Sequence, residues 1–341
     1  MRTMETLLIL ALVLMGLIFG SSFLIPIAIA LLLTTLIAGT ADRFHRIGMS
    51  AGMATFSSIV LFILCLSGVF YILFDQVDSL TQAWPRYVAR LQSLTTQATE
   101  RLGPAISAKI SAAFNNLELT RRVPELLGSA GTLLSNAVLV ALYVGFMLAE
   151  RGTITSKLNH FFDTTEKTEE ATATLGRLVQ SIRDYIWIQS AMSFFTAAVS
   201  YGVLKMLDVD FAETWALLIF LLNFIPSIGS VLGVVFPAIL ALIQFDTMWQ
   251  FLVIAGLLST AQFVIGNVIQ PAIMGKTLNL SAFVVMASLA FWATIWGTVG
   301  AFLSVPLTAA IAITCSNIPA WRWLAVLLSE DGRAGNVAEP D

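Results

Sequence analysis

In a chain that is 57% hydrophobic and 11% charged, few residues can do chemistry, and the conspicuous ones are uncharged amides and hydroxyls. Asn223, Ser227 and Ser230 crowd the stretch NFIPSIGSVLGVVFP, which also carries Pro226, Gly229, Gly233 and Pro237. Gln262, Asn267 and Gln270 follow in the next apolar run, spaced five and three apart, roughly on one face. Gly297, Thr298, Gly300, Ser304 and Pro306 interrupt the last apolar run. Such side chains donate and accept hydrogen bonds without changing charge. They suit recognition of a neutral polar solute. Asp and Glu stay at the ends of the apolar runs, as Glu150, Asp184, Asp208, Asp210 and Glu213 do. Proton-coupled carriers keep such groups inside the bilayer.

No HExxH, GxSxG or Walker A pattern occurs, so neither an enzyme nor an ATP-driven pump is expected. His45 and His160 stand far apart in polar loops. Cys65 and Cys315 sit in apolar runs and read as small hydrophobes, so no disulfide, metal site or cofactor is expected. A net charge of −3 gives no argument for a nucleic-acid partner.

These residues need elements to carry them. Soluble domains hold about a quarter charged residues, and several runs here approach or exceed the roughly 20 apolar residues that span a hydrocarbon core. The expected fold is an all-α polytopic membrane protein, with about six full transmembrane helices plus two broken or re-entrant helical hairpins. Leu7–Phe19 and Phe23–Ala38 read as two helices joined by a very tight turn, with Pro26 in the first turn of the second. This hairpin is a better reading than a cleaved signal, because the apolar run resumes at once after Ser22. Ala51–Phe74, Leu133–Ala149, Tyr185–Leu204 and Trp249–Ile269 read as further spans. Trp215–Ile243 and Ser281–Ile313 each lie between one helix and two.

From Asp75 to Gly128 the pattern turns amphipathic. Val77, Leu80, Trp84, Tyr87, Leu91 and Leu94 recur at helical spacing, and Ile106, Ile110, Phe114 and Leu117 repeat it after Gly103-Pro104. Sparse Lys and Arg favour an extramembrane subdomain over a helix lying on lipid. The expected organisation is N-terminal helices over 1–74, this insertion over 75–130, further helices over 131–205, a core with both broken segments over 206–318, and a tail over 319–341.

Positive residues favour the inner face of a membrane. Arg43–Arg46 and Arg151–Arg183 share one side if the first five spans alternate, which leaves the acidic Asp208–Glu213 loop and the insertion outside. Lys276 and Arg322 then fall inside only if each awkward segment returns to the side it entered from. Two complete short spans in place of a hairpin are the alternative.

The awkward segments also resemble each other. SIGSVLGVVFPAILALI from Ser227 and TVGAFLSVPLTAAIAI from Thr298 share a hydroxyl, a β-branched residue, glycine and a small residue, then an apolar run to proline. Entered from opposite faces, they would form an inverted repeat, whose interface near the midplane commonly holds the substrate. Unwound backbone survives in lipid only where it is buried in protein or lines a wet cavity. Close packing is the competing reading for Gly229 and Gly233, which form a GxxxG step, and interhelical bonding is the competing reading for each amide.

Three motifs carry a family resemblance. They are Phe224-Ile225-Pro226-Ser227-Ile228-Gly229 after Asn223; Gln270-Pro271-Ala272-Ile273-Met274-Gly275-Lys276, with Leu278 and Leu280; and Gly297, Gly300, Leu303, Val305, Pro306, Leu307. With them the chain resembles the autoinducer-2 exporter family of bacterial permeases over nearly its whole length. It departs from that pattern at Ile188, where a Gly commonly precedes Gln189, and at Ser281-Ala282, where a His-Pro pair is common. The resemblance implies a multi-pass protein of the bacterial inner membrane that exports small solutes, autoinducer-2 among them. Sodium or lithium exchange for protons is implied for some members. It also implies a homo-oligomer, a pentamer, in which a hairpin-bearing domain moves against a scaffold. An antiporter and a non-transporting oligomeric scaffold remain the alternative functions.

Overall fold

The computed structural model describes residues 2–102, 130–153, 156–157, 160, 165–274 and 278–332. Among them the regular elements are all helical: α1 (Arg2–Phe19), α2 (Ser21–Arg46), α3 (Ala51–Leu102), α4 (Ala130–Glu150), α5 (Thr165–Met206), α6 (Ala212–Leu222), α7 (Ile228–Gln244), α8 (Met248–Val264), α9 (Gln270–Met274), α10 (Ala282–Asn317) and α11 (Arg322–Leu328), with short 3-10 turns besides. A π-turn, Ile265–Ile269, joins α8 to α9. Among the described residues four stretches are long and apolar enough to cross a bilayer: Ser21–Arg46, Ala51–Ile72, Met248–Ile273 and Ala282–Asn317. The apolar part of α5 falls short because Gln189, Ser193, Thr196 and Ser200 interrupt it.

One expectation about the spans needs correction, and two spans extend beyond their expected bounds. The first two are not a hairpin. A single residue, Gly20 (φ −83°, ψ 3°), separates α1 from α2. Gly20 N–H still donates to Gly16 O at 2.9 Å, and Leu24 N–H donates to Gly20 O at 2.8 Å. One residue near the helical region bends a helix but cannot reverse it. Pro26 accordingly lies inside α2, beyond its first turn. Next, the apolar span from Ala51 closes near Ile72, close to the expected Phe74, but the helix that carries it runs on. It continues as one helix of 52 residues, about 78 Å at the usual rise, so α3 is both a span and a projecting stem. Val77–Leu94 ride on that stem; the second amphipathic stretch, Ile106–Leu117, lies outside the described residues. Finally, α5 starts at Thr165, so part of the polar connection is helix continuous with the fifth span.

The two awkward segments are hairpins. In the first, α6 and α7 have 11 and 17 residues, joined by the elbow Asn223–Ser227. Its ends are stitched together by Gln244, whose Oε1 accepts from Asp210 N–H at 2.8 Å and whose Nε2 donates to Asp208 O at 2.6 Å. In the second, α10 breaks at Gly297 (φ 62°, ψ −143°). Trp292 Nε1 reaches Thr308 Oγ1 at 3.1 Å, which only a folded-back chain allows. Its ends are also joined: Ser281 N–H donates to Leu328 O at 3.1 Å, and Asn279 Nδ2 to Asp331 Oδ1 at 2.8 Å.

The hairpins attach at opposite ends of α5. Lys205 and Tyr201, near its C-terminus, bond Glu213 at the start of the first hairpin. Arg177, near its N-terminus, donates to Asn317 Oδ1 at 2.6 Å, at the close of the second. Arg183 to Lys205 spans about 33 Å of helix, close to the thickness of a hydrocarbon core. One end of the molecule is therefore basic, where Asp42 pairs with Arg151 at 3.0 Å and Arg183 at 3.2 Å. The other carries Asp208, Asp210, Glu213 and Asp246. Packing joins α2 to α3 and α4 through Ala30, Ile37 and Val144, and α2 to both arms of α10 through Trp292, Trp296 and Leu303.

Candidate functional site

The elbows of the two hairpins meet. Phe224 stacks on Phe302 with ring centroids 4.7 Å apart, and Ile225 packs on Leu289 and Ala301. Glycine makes each hairpin close. A Cβ on Gly229 would stand 1.7 Å from Leu222 O, and one on Gly300 would stand 2.0 Å from Trp292 O. These two glycines match in the internal repeat, and in both hairpins the returning arm touches a carbonyl of the entering arm at that position. Ser227 closes the first elbow with φ 57°, a left-handed conformation that costs a non-glycine residue about 1–3 kcal/mol.

Beside the first elbow lies a cleft of about 400 Å³, within the usual range for small-molecule sites. The elbow and α7 contribute Asn223, Pro226, Ser227 and Ser230. Gln262 of α8, Asn267 of the π-turn and Gln270 of α9 form a second wall, and α5 forms a third with Tyr185, Gln189, Met192, Ser193 and Thr196. The cleft reaches the basic end of the molecule at Asn279 and Glu330.

Local structure explains why these residues converge. Gln270 N–H donates to Ile265 O, a five-residue bond that widens the turn. The wider turn brings Gln262, Asn267 and Gln270, spaced five and three, onto one cleft wall. π-turns of this kind recur at functional sites. The amides then form a chain across the three walls. Gln270 Nε2 donates to Gln189 Oε1 at 2.9 Å, Gln189 Nε2 donates to Asn223 O at 2.6 Å, and Gln262 Nε2 donates to Asn223 Oδ1 at 3.2 Å. The Asn223 carbonyl, freed where α6 ends, is thereby satisfied within the apolar interior.

Seven of the residues expected from sequence line the cleft: Asn223, Pro226, Ser227, Ser230, Gln262, Asn267 and Gln270. The others stand outside it and serve packing or chain geometry. Gly229 and Gly300 allow close approach, and Gly233 packs on Ile219 and the Gln262 amide. Gly297 makes the second break and is exposed, as is Thr298. Ser304 is fully buried and donates to Ala301 O at 2.8 Å, and Pro306 is buried in α10. The α5 wall was not among the expected site residues. Its signal is a polar stripe inside an apolar span: Tyr185, Gln189, Ser193, Thr196 and Ser200 recur every three or four residues and all are buried. Thr196 donates back to Met192 O, whereas the Ser193 hydroxyl is buried without a partner. Among the described residues no cluster of His, Cys, Asp and Glu could hold a metal ion.

Apolar helices, two opposed hairpins that meet and an amide-lined cleft beside the first elbow define a multi-pass membrane permease. Residues 7–320 match the family described as AI-2E family transporter, and the chain belongs to that family. It is similar to the AI-2 transport protein TqsA of Escherichia coli K12, with 31% identity over 94% of this chain and 93% of that protein. A relative in Haemophilus influenzae, named only as a transport protein, is 31% identical over 80% of this chain and 81% of its own length. One in Mycobacterium tuberculosis, also named as a transport protein, is 24% identical over 84% and 80%.

Proposed function

We propose that the chain is a secondary exporter of a small, neutral, hydroxyl-rich solute resembling autoinducer-2, acting in the bacterial cytoplasmic membrane as a homo-oligomer. The observation that carries this reading is the amide chain Gln270–Gln189–Asn223–Gln262 in a cleft whose one carboxylate among the described lining residues, Glu330, is exposed. Amides and hydroxyls match solute hydroxyls as donors and acceptors alike, without the cost of burying charge. The positive-inside rule makes the basic end cytoplasmic, so the cleft faces the compartment from which an exporter loads.

Movement is of the elevator type. The hairpins, with α8 and α9, carry the cleft, while α2, α3 and α4 form the scaffold. The name of the Escherichia coli relative supports autoinducer-2 as the first probe.

The test is a flux panel in proteoliposomes, with autoinducer-2, pentoses and polyols, each with and without proton and sodium gradients. Saturable flux of a hydroxylated solute, lost in Asn223→Leu, supports the reading. Collapse of a pH gradient driven by sodium alone would instead mark a cation–proton antiporter. Neither activity in a well-inserted protein would leave a scaffold.

A further inference from the structure

The first hairpin is held at both of its ends by one short stretch of α3. Tyr87 Oη donates to Asp210 Oδ2 at 2.5 Å, and Arg86 Nη2 approaches the same carboxylate at 3.3 Å. One turn further on, Arg90 pairs with Asp246 at 2.8 Å and donates to Phe245 O at 3.3 Å. Asp210 precedes α6 and Asp246 follows α7, so the stem grips the hairpin where it enters and where it leaves. The Tyr87 ring also lies against Phe211, with centroids 6.2 Å apart. Gln244 ties the two gripped loops to each other, so they must move together.

The two sides of this contact belong to different bodies. The membrane-embedded part of α3 packs on α2, while the hairpin packs on α5 and α8 through Leu204, Ala241, Ile254 and Leu258. The grip is polar and lies about 20 Å or more along α3 from the apolar span that ends at Ile72, at the usual rise. Arg86 is 72% exposed and Asp246 is 89% exposed. Water competes at Arg86 and Asp246, so the two ion pairs are weak enough to part in thermal motion, while Tyr87 is itself buried at the contact.

We propose that Arg86, Tyr87 and Arg90 on the stem latch Asp210 and Asp246, holding the cleft open towards the basic end until the latch parts. This rests on the reading that the hairpin body moves against the scaffold, and it adds which contact sets the resting state.

The test uses full-length protein with Cys65→Ser, Cys315→Ser and a single cleft reporter, Ser230→Cys. A membrane-impermeant maleimide is applied from the acidic end or from the basic end in vesicles of known orientation. Labelling from the basic end reports a folded, open cleft. Labelling from the acidic end reports the fraction of time the latch is released. Arg90→Gln, Asp246→Asn and Tyr87→Phe should each speed acidic-end labelling about two- to five-fold, the range for partly exposed polar pairs. The charge swap Arg90→Glu with Asp246→Arg should bring the rate back towards the parent's, short of the part owed to the Arg90 bond to Phe245 O.

Unchanged acidic-end rates in all variants, with normal basic-end labelling, would overturn the latch and leave the moving-body reading intact. No acidic-end labelling in any protein, parent included, would overturn the movement and the latch with it. Loss of basic-end labelling in the single variants but not in the swap would show a folding contact, and would also overturn it.

Discussion

Gln189 holds the main-chain carbonyl of Asn223 at 2.6 Å, and so fastens the middle of the longest cleft wall to the point where the first hairpin turns. Its own oxygen accepts from Gln270 at 2.9 Å, which makes it the junction of three elements. Gln189→Leu would leave the half-buried Asn223 carbonyl without its donor, at about 1–3 kcal/mol. The expected result is solute flux lowered about 10- to 100-fold with normal membrane insertion. Gln189→Glu, which keeps only acceptors, should fail almost as badly, because Asn223 O needs a donor. Flux in proteoliposomes at matched reconstitution checks both.

Glycine substitutions separate close packing from mere apolar fit. Gly229→Ala drives a methyl into Leu222 O, whereas a Cβ on Gly256 meets nothing within 4 Å. Gly229→Ala and Gly300→Ala should each destabilise the protein by about 1–3 kcal/mol or more. Gly256→Ala lies mid-helix in α8 and should stabilise it by up to about 1 kcal/mol. Thermal unfolding in detergent, followed by tryptophan emission, reads both directions in one experiment.

Ser193 gives the opposite pattern to Gln189. Its hydroxyl is buried on the cleft wall without a partner. Removing an unsatisfied buried group does not cost stability and can add to it. Ser193→Ala should therefore unfold no earlier than the parent, while its KM for a hydroxylated solute rises about tenfold, the value of one hydrogen bond to the solute. A deoxy analogue lacking the matching hydroxyl should not distinguish the two proteins. Equal KM values for all solutes would remove Ser193 from the site.

Tyr87 supplies a pH dependence. Burial, followed by its hydrogen bond to Asp210 and the charge of that carboxylate, raises the phenol above its ordinary value of about 10. A raised value means the folded state favours the neutral phenol. Its contribution is complete below pH 10 and declines as the pH rises from there through the folded value. The stability difference between the protein and Tyr87→Phe should be flat from pH 7 to 9 and shrink above 10. The 295 nm absorbance difference between the protein and Tyr87→Phe should place this phenol's ionisation above pH 10.

Reading the sequence reached the chemistry of the cleft more readily than its walls. Asn223, Gln262, Asn267 and Gln270 stand out because an amide in an apolar run needs a partner. Gln189 is the same signal, yet beside Ile188 it drew notice only as a departure from a family pattern. Ser193 and Ser200 were hidden for a different reason: a buried serine usually bonds its own helix, and nothing local reveals that these two do not. The tight turn expected at Gly20 failed because glycine next to two serines permits a reversal without requiring one. That the apolar span from Ala51 and the amphipathic stretch after it form one helix was not legible, because such stretches can be joined with or without a break.

By itself, the sequence determined that this protein lives in lipid, that it is helical, and that two segments near Pro226 and Gly297 cannot run straight. Those outcomes follow from local terms: hydropathy over about 20 residues, and backbone limits at proline and glycine. Only the tertiary structure decided that the breaks are hairpins rooted at opposite ends of α5, that Phe224 meets Phe302, and that Gln189 completes the amide chain. Each of those depends on contacts between residues far apart in the chain. Their pairing is set by which groups remain unsatisfied after every helix has formed, and local sequence does not encode that.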